Sequence, residues 1–161
     1  MGRTGFVNFD AHLDVRASST PHSGTSFWRA LEKGVVGEDA IWFGVQSSAT
    51  AAMHKEYVAA KGGRIFYGDD NLYELEGFQK AFETMKNKCG VIDVSLDMDV
   101  FEMSASPGVS APQPMGLPPH IVLDAFTRVV HDGKIKTVGI YEVKEKKVTI
   151  MNFHHLTTRT R

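Results

Sequence analysis

The chain has 161 residues, 42% of them hydrophobic and 23% charged, and a formal net charge of −1. That is enough for one globular domain with a real core, and the near-neutral balance excludes an electrostatic pull toward nucleic acid or an anionic membrane. No apolar run is long enough to span a bilayer, no secretory signal opens the sequence, and the single cysteine excludes an internal disulfide framework, so a reducing cytoplasm is the expected setting.

Met1, Gly2, Arg3 and Thr4 lead almost directly into the first predicted strand, 5–9 ("GFVNF"). Such an opening is expected of a domain that starts in mid-sheet or of one without its front portion. A short helix follows at 25–33, with Phe27, Ala30 and Leu31 inward. Strand 40–45 ("AIWFGV") comes next. The helix predicted at 48–61 places Ala49, Met53, Tyr57 and Ala60 on one face, with Ser48 as N-cap and Gly62 and Gly63 as its stop. After strand 64–67 ("RIFY"), the helix at 74–86 carries Leu75, Phe78, Phe82 and Met85 on one stripe. Cys89 is expected to be a small buried residue at an element boundary. Strand 91–96 ("VIDVSL") is followed by a long irregular stretch, 101–118, whose Pro and Gly content suits a rigid, shaped loop. The helix at 119–131 shows Val122, Ala125, Phe126, Val129 and Val130, entered through Pro118 and Pro119 and left at Gly133. Strand 137–141 ("TVGIY") is the last clear element; beyond it only "KVTIMNF" suggests another. The strands are mostly apolar and alternate with helices, which predicts an α/β domain built on a parallel sheet covered on both faces.

The chemistry concentrates at two strand ends. "VNFDAHLDVR" closes an apolar run with Asp10, His12 and Asp14, and "VIDVSLDMDVF" does the same with Asp97 and Asp99. In an extended segment, alternate residues point to one side, so each group is expected to converge. In open α/β sheets ligands sit outside the carboxyl ends of the strands. If the two strands are neighbours, five ligands meet, four of them carboxylates. Crowded carboxylates repel and take up protons unless a cation intervenes. A donor set this rich in oxygen, with one imidazole, suits Mn2+ better than the Cys/His sets that favour zinc. Five ligands exceed the needs of one ion, so two ions with shared carboxylates are expected.

"DAHLD" and "SLDMDVF", the second followed by a Pro/Gly-rich loop, resemble the metal-binding signatures of the arginase, or ureohydrolase, family. The likeness covers roughly residues 5–143. The flanks "NFDAHLDVR", "SGT" and "SASPGVSAPQPMGL" are most similar to members acting on N-formimidoyl-L-glutamate. The resemblance implies a three-layer α/β/α fold and a dimanganese site. In it Asp10 and Asp97 bridge both ions, His12 and Asp99 complete one, and Asp14 serves the other. It implies hydrolysis of formimidoylglutamate to glutamate and formamide by hydroxide generated from water between the ions, a step in histidine breakdown. Asp99 would also anchor that hydroxide, and Glu142 in "GIYEV" matches the carboxylate facing the amidine nitrogens. Arg16, Ser23, Gly24 and Thr25 are candidates for the glutamate portion of this small-molecule substrate. His22, a loop histidine beside Pro21, is expected to be exposed. A homo-oligomer is the family expectation. Arginine, agmatine or another guanidino compound is the alternative substrate.

Two departures shape a further expectation. A histidine ligand in a Gly-Gly-x-His motif lies upstream of "DAHLD" in the family, and this sequence begins too late to contain it. Lys144 and Glu145 stand where the family usually has Asn-Pro, so 144–161 forms a divergent, basic tail to a single, partial domain over 1–161. The expectation is a truncated member, incomplete at its N-terminal side, that is a poor catalyst or a non-catalytic remnant binding metal or a partner subunit.

Overall fold

Short apolar segments rich in aromatic and β-branched residues pair here as a parallel sheet, and the segments between them supply its covering helices. The computed structural model describes residues 2–69 and 75–143. In chain order these form β1 (Arg3–Phe9), α1 (Ser26–Glu32), β2 (Ala40–Val45), α2 (Ala52–Ala60), β3 (Arg64–Tyr67), α3 (Leu75–Lys88), β4 (Cys89–Asp97), α4 (Pro119–Val130) and β5 (Ile135–Tyr141). The segment "KVTIMNF" and the rest of 144–161 lie outside the described residues.

The five strands lie in the order β3-β2-β1-β4-β5, and every neighbouring pair is parallel. Alternation divides the strand side chains between two layers. Val7, Phe9, Ile41, Phe43, Val94 and Leu96 pack against the stripes of α3 and α4. Phe6, Ala40 and Trp42 pack on the other face, with Leu31 of α1 and Val58 of α2. The result is the expected three-layer α/β/α arrangement.

From β1 the chain moves through α1 to β2 on one side. From β4 it moves through α4 to β5 on the other. Divergence of the two connections opens a crevice at the carboxyl ends of β1 and β4, the switch point where α/β sheets place their ligands. Among the described residues, α1 and α2 cover only part of their face. Beside them lies a groove of about 470 Å3 whose lining includes Asp93, Ser95, Thr137 and Tyr141. At the edge, β5 exposes Val138 and Ile140.

Helix α2 departs from its predicted pattern. Residues Ser47–Ala49 form a separate 3-10 turn, Thr50 and Ala51 are extended, and the helix begins at Ala52. Ser48 therefore caps nothing in α2, and Ala49 belongs to a different element. The helix turns so that Val58 is buried while Met53 is 69% exposed. The turn is held from outside the window, because Ser47 donates through its N–H and hydroxyl to Asp69. Smaller differences concern strand starts: β1 and β5 each begin two residues early, as does β4, which opens at Cys89. Cys89 is buried, and burial pushes its thiol up to about 11, which keeps it protonated and inert. The stretch 101–118 is shaped as expected, with Phe101 bridged to Leu117 and Glu102 to Gln113.

Phe9, fully buried, is the last residue of β1 before the acidic segment. Its ring lies 5.5 Å from Phe43, 5.7 Å from Phe78 and 5.5 Å from Phe126, centroid to centroid. Truncation there opens a cavity between β1, β2, α3 and α4. Phe9→Ala is expected to lower unfolding free energy by about 3–5 kcal/mol, measured by urea titration; a loss below about 1 kcal/mol contradicts this packing.

Candidate metal centre

The register of β1 and β4 decides whether the two acidic groups meet. Asn8 lies opposite Ser95 and Phe9 opposite Leu96, so both chains reach their first aspartate, Asp10 and Asp97, at the same height. The crevice above is a cleft of about 170 Å3. Asp10, His12, Asp14, Arg16, Ser23, Gly24, Asp97, Asp99 and Glu142 all contribute to its walls.

Convergence arises differently from the pleat-based expectation. Strand β1 ends at Phe9, and Asp10–His12 bends. Asp10 Oδ1 accepts the His12 backbone N–H at 2.6 Å. Asp97 Oδ1 likewise accepts the Asp99 N–H at 3.0 Å, capping the 3-10 turn Met98–Val100. Each aspartate thus folds the chain back on the residue two positions later, an Asx turn. The spacing of two serves that turn and brings the paired side chains together. A third bond ties the groups across the sheet: Ala11 N–H donates to Asp99 Oδ1 at 3.3 Å.

Burial still alternates beyond β1. Ala11, Leu13 and Val15 enter the core, while His12, Asp14 and Arg16 face the cleft side. The Trp42 indole N–H anchors the segment by donating to the Leu13 carbonyl at 3.0 Å. Asp14 sits at φ 50°, in the left-handed region. Its carbonyl accepts the N–H groups of Phe27 and Trp28 at 3.1 and 3.4 Å, satisfying otherwise unpaired donors at the start of α1. Glu142 also has a positive φ, 60°, and its Oε2 accepts the Ser110 N–H at 2.7 Å. Strained residues held by neighbours in this way gather at functional sites.

Ligand atoms of Asp10, His12 and Asp99 lie within 4.8 Å of one another. His12 Nδ1 is 3.0 Å from Asp99 Oδ2 and 3.3 Å from Asp10 Oδ1. These bonds push the imidazole up to about 10, so a proton sits between two carboxylates. Burial, and secondarily neighbouring negative charge, raises Asp10 to about 7, Asp97 to about 8 and Asp14 to about 6. Negative charge outweighs positive here, Arg16 notwithstanding, and bound protons offset the excess. A hard divalent cation supplies the same charge and suits the oxygen-rich set. The residues therefore fit manganese.

Arg16 also reaches the cleft; its backbone N–H donates to the Gly24 carbonyl at 2.8 Å. Ser23 and His22 are exposed. Thr25 differs from expectation. It is buried, and its hydroxyl donates to the His22 carbonyl at 2.8 Å and accepts the His22 N–H at 3.1 Å. It closes a turn and does not line the cleft. Sequence reasoning overlooked Ser110, whose contribution is a backbone N–H and so leaves no side-chain signature. It also overlooked Asn8, whose signal was a lone amide inside an apolar strand.

Raised carboxyl values mean that the metal-free folded chain holds protons more tightly than the unfolded chain. Stability then falls as pH rises from about 4, the ordinary carboxyl value, toward the raised values, and His12 adds a loss between about 6.5 and its own value. Mn2+ competes with those protons, so its stabilising effect grows over the same range. Thermal unfolding in chelator is expected to give a lower midpoint at about pH 8 than at about pH 5.5, with the larger manganese-induced rise at the higher pH. A metal-free midpoint that climbs over this window contradicts the charge arrangement.

The arginase family model matches residues 1–149. Formimidoylglutamase of Staphylococcus carnosus (strain TM300) is 34% identical over 139 residues, 86% of this chain and 45% of that protein. The crystal structure of formimidoylglutamase from Bacillus subtilis is similar with a TM-score of 0.83 and 27% identity, covering 89% of this chain and 46% of that one. Trypanosoma cruzi formiminoglutamase with Mn2+2 has a TM-score of 0.72 and 29% identity, over 87% and 48% of the respective chains. The chain spans about half the length of these relatives. Joined to the parallel sheet and the acidic switch-point cleft, a match over residues 1–149 has one consequence: the chain belongs to the arginase family.

Proposed function

We propose that the protein is a manganese-dependent hydrolase that converts N-formimidoyl-L-glutamate and water to L-glutamate and formamide. The observation that carries this reading is the meeting of Asp10, His12, Asp14, Asp97 and Asp99 in one cleft between β1 and β4. The substrate follows from similarity to proteins named formimidoylglutamase. A cytoplasmic setting in histidine breakdown and a homo-oligomeric state belong to the same reading. No helix among the described residues is long and apolar enough to cross a membrane.

Asp10 and Asp97 would hold two ions in common, His12 and Asp99 one of them, and Asp14 the other. Manganese bound there supplies the Lewis acidity that makes water nucleophilic near neutral pH. Asp99 would also accept a hydrogen bond from the attacking water. Glu142, fixed by the Ser110 N–H, is assigned to the amidine nitrogens. Its negative charge favours the protonated amidine and so an electron-poor carbon. The Arg16 guanidinium, on the cleft wall, suits a substrate carboxylate through paired N–H donors. Ser23 and Gly24 border the same space, while Thr25 holds the turn that presents them. A proton must still reach the departing nitrogen.

A second reading, a metal-binding chain without turnover of its own, draws on the share of the relatives' length that is spanned and on Val138 and Ile140 of β5, exposed among the described residues. The two readings part in one assay. Formamide release from formimidoylglutamate, arginine and agmatine is measured with and without Mn2+, for the 161-residue chain and for a version extended to its relatives' full length. The extended protein is expected to act on formimidoylglutamate alone and only with manganese. Manganese-dependent formamide release by the 161-residue chain supports the first reading, and Mn2+ binding by it without release supports the second. In the extended protein Asp97→Ala is expected to reduce metal uptake and formamide release together to background. Activity that survives Asp97→Ala rejects the assignment.

A further inference from the structure

We infer that Asn8 and Ser95 form a second tier beneath the acidic cluster and fix the direction in which the Asp10 carboxylate is presented to a cation. This rests on the metal reading above and adds a pair of positioning residues to it.

Asn8 is 1% exposed and stands in β1 between Val7 and Phe9, both fully buried. An amide in such a place is costly unless both its ends are bonded. The sheet supplies both partners. Parallel pairing sets Ser95 of β4 opposite Asn8, and the Ser95 hydroxyl donates to Asn8 Oδ1 at 2.5 Å. Asn8 Nδ2 in turn donates to Asp10 Oδ2 at 3.1 Å. The first contact follows from the register of β1 and β4, and the second from the pleat, which turns Asn8 to the side on which Asp10 leaves the strand. Asn8 therefore lies one step below Asp10, and Ser95 one step below Asp97.

The structure sets the direction of the chain of bonds: the amide turns its NH2 toward Asp10, the orientation that an ionised, cation-bound carboxylate, which only accepts, also requires. Its carbonyl then faces Ser95, whose hydroxyl rotates to donate. A flipped amide would set its oxygen against Asp10 Oδ2. With Oδ1 taking the His12 N–H, the two oxygens of Asp10 are held by donors from different segments. Rotation of the carboxylate is restrained; Oδ2 keeps a lone-pair direction free, and Oδ1 gains one when His12 Nδ1, 3.3 Å away, turns from it to a cation. A solvated aspartate at a strand end has no such restraint.

Three substitutions test the arrangement. Asn8→Leu removes the amide at similar volume, Ser95→Ala removes the hydroxyl, and Ser95→Thr retains it. Mn2+ is titrated into the 161-residue chain and its variants, with bound and free metal distinguished by electron paramagnetic resonance. Unfolding is followed separately in chelator. Asn8→Leu and Ser95→Ala are expected to weaken Mn2+ binding about 10- to 100-fold and to alter the spectrum of the bound ion. Ser95→Thr is expected to bind as the parent does, and the metal-free midpoint of Ser95→Ala to stay near the parent value. Ser95 is only half-buried and borders the groove, so Ser95→Ala decides the matter if Asn8→Leu fails to fold. Parent-like affinity and spectrum in folded Ser95→Ala overturn the inference. A parent chain that takes up no Mn2+ overturns the metal reading itself, a failure seen without any variant.

Discussion

Two strands that must lie side by side to bury their apolar residues each end in carboxylates. This conflict between packing and charge organises the molecule. Phe9 and Leu96 are paired and buried in the β1–β4 register, and Asp10 and Asp97 come directly after them. The core cannot form without forcing the acids together. Burial then raises their affinity for protons, and His12 carries a proton between Asp10 and Asp99. In energetic terms this is an unfavourable arrangement for a metal-free protein. It becomes favourable when a divalent cation replaces the borrowed protons.

The surrounding structure holds the conflict in place by local means. Asx turns at Asp10 and Asp97 fold each acidic segment onto itself. The Trp42 indole fastens the segment after β1 to the sheet. The first turn of α1 grips the Asp14 carbonyl and keeps that residue at positive φ. The loop after β4, pinned at Phe101 and Leu117, lays the Ser110 N–H on Glu142. Each device uses backbone groups as well as side chains. Protein groups alone therefore give the cleft its shape.

Much of this was legible in the sequence, for identifiable reasons. Apolar runs bounded by Gly, Pro and acidic residues placed all five strands, and the stripes of α3 and α4 are strong because both helices bury a full face. The resemblance of "DAHLD" and "SLDMDVF" to arginase signatures pointed to the cleft that is proposed above as a metal site. Strand order was not legible: β4 follows β3 in the chain yet pairs with β1, and only tertiary packing decides that. Helix α2 was misplaced because its stripe crosses a turn stabilised by Asp69, beyond the window that defined it. Asx turns were mistaken for pleat alternation, since both place residues two apart on one side. Thr25 looked like a substrate contact, but a hydroxyl beside a tight turn is readily taken by the local backbone, as His22 takes this one.

The proposed function makes one physical claim: the acids of β1 and β4 meet in order to share a cation. Anomalous scattering at the manganese edge, from crystals of the 161-residue chain grown with Mn2+, tests it most directly. The account predicts anomalous density between the carboxylates of Asp10 and Asp97 or Asp99, with His12 turned from its carboxylate contacts to the ion. Crystals with manganese in solution and no density in that cleft, or with Asp10 and Asp97 on separate surfaces, would contradict it.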